Sequence, residues 1–149
     1  MIIIFKKILN YILFLLPWFL STLLVRDFSY YKELNQPFFA PPTWVFPVMW
    51  TIFYLLVAYS IYKVFNKRNK EYLISLIINY IANQLFTIFF FLLKNNFLAF
   101  VDTLVVLISS LYLYYETKEI DNKASKFIIP YIIWNTFATL LSLTIFLMN

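Results

Sequence analysis

Glycine, cysteine and histidine are all absent from this chain. Without cysteine there is no disulfide, no thiolate nucleophile and no thiolate metal ligand. Without histidine there is no imidazole base and none of the commonest ligand for zinc or haem iron. Most familiar catalytic devices are thereby excluded, and no metal site is expected. The lack of glycine closes the GxxxG route to close helix contact, so alanine, serine and threonine must provide any close approach. Charge is scarce as well. Charged residues make up 13% of the 149 positions against 63% hydrophobic, far from the composition of a soluble domain. An all-α integral membrane protein follows, with one compact helical domain over 1–149 and little sequence left for a second. The excess of Lys and Arg, 12 against 7 acids, reads as membrane topology before it reads as a nucleic-acid surface, and no nucleic acid is expected as a partner.

What the chain does have is a series of long apolar runs. They predict a five-transmembrane-helix bundle, with helices over about 8–25, 43–62, 72–93, 97–115 and 127–148. The first run, Ile8 to Val25, carries no charge. Its length just suffices to cross a hydrocarbon core of roughly 30 Å. Lys6 and Lys7 before it imitate the start of a signal peptide, but no small-residue cleavage site follows, and the run is expected to stay. The polar interval 26–42, RDFSYYKELNQPFFAPP, is read either as an interfacial lid or as a tether whose aromatics sit at headgroup level.

The stretch PFFAPPTWVFPVMWTIFY, Pro37 to Tyr54, organises the rest. Pro41 and Pro42 lack N–H groups and suit an extended lead-in to a helix beginning close to Thr43. Within that helix Trp50, Phe53, Tyr54 and Val57 share a face, which either packs on neighbours or lines a pocket. In the third span, Asn79 and Asn83 lie four apart, with Phe86 and Phe90 continuing the stripe. The amides either make interhelical hydrogen bonds, the reading preferred on the residues alone, or meet the polar edge of a ligand. Asp102, about six residues into the fourth span, is read as a structural acid satisfied by interfacial water or a neighbouring helix end, against a proton relay or ligand contact. In the fifth span Trp134, Ala138, Leu141 and Ile145 form a stripe with a small residue one turn beyond the indole, over which a flat ligand could lie; such stripes are more often packing.

Three ordered blocks resemble the TspO family of tryptophan-rich sensory and translocator proteins, also known as peripheral-type benzodiazepine receptors. The first is Tyr31, Leu34, Pro37, Pro41, Pro42, Trp44, Phe46, Trp50, Thr51 and Tyr54; the second is Asn83, Phe90 and Phe91 with Ala99 to Asp102; the third is Pro130, Tyr131, Trp134, Phe137, Ala138, Leu141 and Asn149. Departures accompany them. Asn79 stands where the family often has Gln, Phe86 and Phe39 replace frequent tryptophans, and Ser142 and Phe146 replace a common Asn and Trp. The resemblance implies a membrane receptor or sensor, usually homodimeric, that binds porphyrin, haem or another flat hydrophobic molecule as ligand, with no obligatory cofactor. The implied walls are Phe46, Trp50 and Tyr54; Asn79, Asn83, Phe86 and Phe90; and Trp134, Ala138 and Leu141. Tyr31, Lys32, Pro41, Pro42 and Trp44 would belong to the lid, with Lys32 meeting a propionate. Two alternatives go with the resemblance: light-dependent porphyrin degradation, with Trp50 and Trp134 as candidate catalytic residues, and transport of a small molecule or lipid. The expected location is a bacterial cytoplasmic membrane.

Lys and Arg are held on the cytoplasmic side far more strongly than acids are. The N-terminal segment and the loops after the second and fourth spans carry nine of them, and the remaining loops with the C-terminal end carry three. The N-terminus is therefore expected in the cytoplasm, with the lid and C-terminus opposite. Alkaline phosphatase fused after Asn149 should be active and a fluorescent protein fused there dark; the reverse pattern inverts the topology.

Overall fold

The computed structural model describes residues 2–149, and every regular element among them is helical. α1 (Ile2–Leu15) runs into a 3₁₀ helix, Leu16–Leu24; a short α2 (Ser29–Glu33) lies in the following loop. The long helices are α3 (Val45–Val64), α4 (Lys70–Thr87) with a π-helical end over Ile88–Leu92, α5 (Asn96–Ile120) and α7 (Ile129–Met148), with α6 (Asn122–Ser125) as a turn between the last two. Five helical segments are long and apolar enough to cross a membrane.

Several boundaries differ from those read in the sequence. The first helix begins at Ile2, so Lys6 and Lys7 lie inside α1 rather than ahead of it. Pro17 sits at the start of the 3₁₀ stretch, where its missing N–H removes one helical bond and its ring crowds the preceding turn. A 3₁₀ helix rises about 2.0 Å per residue instead of 1.5 Å, so the second half of this span is longer and thinner than an α-helix of equal sequence. α3 begins at Val45, two residues after Thr43, because Pro42 is spent on a turn in which its carbonyl accepts from Val45 N at 3.0 Å. α5 runs on to Ile120 through a stretch expected as loop. Hydropathy marks where the chain leaves the apolar layer, and a helix does not have to stop there. Asp121 ends α5 and caps α6, accepting from Lys123 N at 2.8 Å and Ala124 N at 3.1 Å. Asn69 and Asn95 cap α4 and α5 in the same manner.

α5 packs between α4 and α7, α1 packs on α3, and the 3₁₀ stretch turns away to lie on α4. Small side chains replace glycine at the close approaches: Ala58, Ala99 and Ser110 are fully buried, and Ser60 donates to Ala124 O at 3.0 Å, joining α3 to α6. The interior also holds a directed run of hydrogen bonds. Tyr54 Oη donates to Asn83 Oδ1 at 2.9 Å, Asn83 Nδ2 to Tyr131 Oη at 3.1 Å, and Tyr131 Oη to Asn79 Oδ1 at 3.1 Å. Asn79 Nδ2 then reaches Val106 O at 3.1 Å and Ser109 Oγ at 3.0 Å. Four helices are thereby joined.

The 26–42 segment is folded onto the bundle. Tyr31 is buried between Phe46 and Phe90 and donates to Pro41 O at 3.0 Å; burial pushes its phenol up to about 12. Asn35 N donates to Asn149 Oδ1 at 2.8 Å while Asn149 Nδ2 donates back to Asn35 O at 3.0 Å, a reciprocal clasp between lid and α7. At the far side Tyr30 Oη lies 3.0 Å from Lys94 O.

Two outcomes follow. Tyr131→Phe leaves Asn79 Oδ1 and Asn83 Nδ2 without their partner, and is expected to lower unfolding free energy by about 1–3 kcal/mol; Tyr54→Phe, which deprives one atom, costs less. Denaturation in detergent that ranks them the other way removes the hydrogen-bond run as a determinant of stability. Asn149→Ala is expected to speed amide exchange at Asn35 while shifting stability by no more than about 1 kcal/mol, since the clasp is solvent-exposed. Unchanged exchange at Asn35 denies the clasp any hold on the lid.

Candidate functional site

A cavity of about 410 Å³ lies under the lid, within the size range of small-molecule pockets. α3 contributes Phe46, Trp50 and Tyr54, from positions one helical turn apart. α4 and its π-helical end contribute Asn83, Phe86, Phe90 and Phe91, α7 contributes Trp134, Asn135, Ala138 and Leu141, and the lid contributes Phe28 and Tyr31. Phe90 and Phe91, adjacent in sequence, both reach it because the π-turn offsets one residue from the regular helical spacing. That turn ends at Lys94, whose φ of 50° is a conformation usually given to glycine; with glycine absent, lysine carries it.

The walls are aromatic. The Trp50 and Trp134 rings meet edge to face with centroids 6.3 Å apart; Phe46 lies 6.4 Å and Phe137 5.3 Å from Trp134, and Phe86 stacks on Phe90 at 5.5 Å. No Lys, Arg, Asp or Glu lines the cavity, and the described residues contain no acid cluster able to hold a metal. Apart from the hydroxyls of Ser21, Thr22, Thr51, Thr87, Thr103 and Ser142, polar groups are few. Tyr54 and Asn83 spend theirs largely on each other, whereas Trp134 Nε1 and the Asn135 amide have no partner. The exposed lining residues Thr22, Pro47 and Thr51 mark the open side, between the 3₁₀ stretch and the lid end of α3.

The residues singled out in the sequence divide accordingly. Phe46, Trp50, Tyr54, Asn83, Phe86, Phe90, Trp134, Ala138, Leu141 and Tyr31 line the cavity. Asn79 does not: it is fully buried between α4 and α5 with both amide atoms satisfied, which is the structural role preferred for it on the residues alone. Lys32 and Trp44 are exposed outside the lining, and Pro41 and Pro42 shape the lid without reaching the cavity. Asp102 lies outside the lining. It is buried at 5% exposure and its Oδ2 has no partner, so no helix end or side chain satisfies that oxygen.

Sequence reasoning missed the contribution of the first span, Phe19, Ser21, Thr22 and Val25. Its pattern reads as a plain anchor, and only Pro17 hints that it bends. Asn135 was missed although it satisfies the criterion that drew attention to Asn79 and Asn83, an amide within an apolar span.

The profile of the TspO/MBR family matches residues 9–148. A tryptophan-rich protein TspO of Bacillus cereus is 35% identical over 132 residues, covering 87% of this chain and 86% of its own. An uncharacterized membrane protein, YtaB of Bacillus subtilis, is also 35% identical, over 127 residues, covering 83% and 82%. A tryptophan-rich sensory protein of Cereibacter sphaeroides is 29% identical over 117 residues, covering 78% of this chain and 74% of its own. With five membrane-crossing helices, an aromatic cavity under a proline-rich lid and a family match over nearly its full length, the chain is an integral membrane protein that belongs to the TspO/MBR family.

Proposed function

We propose that this protein is a membrane receptor or sensor whose cavity binds a tetrapyrrole, porphyrin or haem. The observation that carries the reading is the pair of indoles, Trp50 and Trp134, set edge to face in the wall of a cavity whose other lining includes a ring of phenylalanines and tyrosines among aliphatic and hydroxyl side chains. A wide apolar macrocycle gains from burial against aromatic faces, and a few hydrogen-bonding groups suffice to orient it. A sensory role is consonant with the name of the Cereibacter relative, a tryptophan-rich sensory protein. Tyr31 supplies a route for it, because the same side chain lines the cavity and packs the lid against Phe46 and Phe90 of the bundle.

The lining sets limits on the ligand. It offers no imidazole, thiolate or thioether, and the hydroxyls of Tyr31 and Tyr54 are engaged with Pro41 O and Asn83. Haem would thus be held through its ring rather than its iron. With no cation in the lining, propionates would project out through the open side rather than be paired inside the cavity.

A second reading is favoured by the same two indoles. Placed against a light-absorbing porphyrin, Trp50 and Trp134 could be oxidised in its photochemical breakdown, with the excited porphyrin and dioxygen supplying the oxidising power.

Replacing either indole by Phe keeps most of the apolar area, so folding should survive. Porphyrin affinity is expected to fall about fivefold, roughly 1 kcal/mol, the scale of an aromatic pair beyond its burial. Titration of the purified protein in the dark, with quenching of the remaining tryptophans as readout, measures this. Unchanged affinity in both variants returns the two residues to packing. Illuminated samples separate the second reading: degradation lost with binding kept supports it, and degradation that persists in both variants excludes these indoles from the chemistry.

A further inference from the structure

Beside the cavity, three buried polar atoms have no hydrogen-bond partner: the indole Nε1 of Trp134 and both amide atoms of Asn135. Both residues line the cavity, Asn135 at 2% exposure and Trp134 at 9%. An amide left bare in a low-dielectric interior weakens the fold, because its water is removed and nothing replaces it. The other amides inside the spans are treated differently. Asn79 and Asn83 are held by the phenol run, and Gln84 Oε1 accepts from Ser21 N at 2.8 Å. Asn135 has neighbours that could have served it and do not. Tyr131 Oη gives its only hydrogen to Asn79 and accepts from Asn83, leaving Asn135 beside it without a well-formed bond, and Thr139 directs its own hydrogen toward the backbone oxygens of Thr103 and Asn135.

We propose that Asn135 is a specificity-determining residue of this cavity. With the Trp134 indole N–H, it selects a neutral flat ligand whose buried edge carries a hydrogen-bond donor beside an acceptor, as a lactam does. A primary amide is the complement of such an edge: Oδ1 accepts the ligand N–H while Nδ2 donates to the ligand carbonyl, and the indole N–H is a second donor for that oxygen. Neutrality follows from the lining. A carboxylate at this depth would be buried with no Lys or Arg to pair with it. Both amide atoms sit just behind the cavity surface, so contact requires the side chain to turn. Only a loose contact with Tyr131 Oη is given up for that, since neither amide atom has a partner at good hydrogen-bond geometry.

The inference rests on reading the cavity as a ligand site, and it adds the chemistry of the ligand's inner edge. The test uses the full chain in detergent, isothermal titration calorimetry, and a matched probe pair: phenanthridinone, a flat lactam, and its N-methyl analogue, which keeps the plane and the carbonyl but has no N–H. The unsubstituted chain is expected to prefer the N–H probe by about tenfold, the scale of one to two buried hydrogen bonds. Asn135→Leu removes both hydrogen-bonding atoms at similar volume. It should bind the two probes within about twofold of each other and unfold at a temperature no lower than the parent. Asn135→Val carries the same expectation should leucine strain the packing. Equal affinities in the parent chain, no measurable binding of the lactam, or a preference that survives in either variant overturns the proposal. Protoporphyrin dimethyl ester is titrated alongside. If it fails to bind while the lactam preference stands, the tetrapyrrole reading falls and this one does not.

Discussion

The phenol and amide run through Tyr54, Asn83, Tyr131 and Asn79 is the constraint on which the rest of the structure depends. Inside a bilayer, apolar faces gain little from leaving lipid for one another, so burial alone does not choose which helix faces meet. Hydrogen bonds do choose, because each donor has a fixed number of protons and a bare amide is costly. Tyr131 accepts from one asparagine and donates to the other, which fixes the rotation of α7 against α4, and Tyr54 then fixes α3. Trp50 lies one turn before Tyr54 and Trp134 one turn after Tyr131. Setting the phenols therefore sets the two indoles edge to face at 6.3 Å.

Two departures from regular helix make room for the cavity. Pro17 converts the second half of the first span to a 3₁₀ helix that leaves α3 and leans on α4, and this opens the side marked by Thr22, Pro47 and Thr51. The π-turn at Ile88–Leu92 presents two consecutive phenylalanines to the interior and lets α4 end close beneath the lid. A regular α-helix in either place would close the opening or turn one ring toward lipid. The absence of glycine has a counterpart here. The one positive φ among the described residues falls on Lys94, and Tyr30, whose hydroxyl lies 3.0 Å from Lys94 O, ties that strained residue to the lid.

Much of this was legible before any coordinates. Hydropathy identified the five spans; spacing drew attention to Trp50, Tyr54, Asn83, Trp134 and Ala138 but left packing the preferred role for Asn83 and the Trp134 stripe, and the family resemblance is what implied that they share one cavity. Helix ends were less legible, since α5 continues for five residues past Tyr115, where its charged last turns leave the apolar layer. The bend at Pro17 was not legible either, because a proline in an apolar run permits a kink without stating its form. Asn79 and Asn83 look alike in sequence. What separates them is a neighbour 27 residues away, Val106, whose carbonyl takes the Asn79 amide out of reach of the cavity.

Neutral walls have a further consequence for how such a site discriminates. With no charge in the lining, ligands cannot be ranked by ion pairing, so selection falls to shape and to the few groups that can hydrogen-bond. Those groups are divided between two populations. Tyr54 and Asn83 are locked into the bundle and answer to its stability, whereas Trp134 and Asn135 are buried and uncommitted. A receptor cannot draw on the first set without loosening the contacts that place its own walls. The second set can be satisfied by an occupant at no such cost, and α7, which carries it, is also the helix that Asn149 clasps to the lid at Asn35. On the proposed reading, occupancy that draws on Asn135 and presses on Tyr31 bears on both ends of that clasp, so one ligand acts on the lid through two independent contacts.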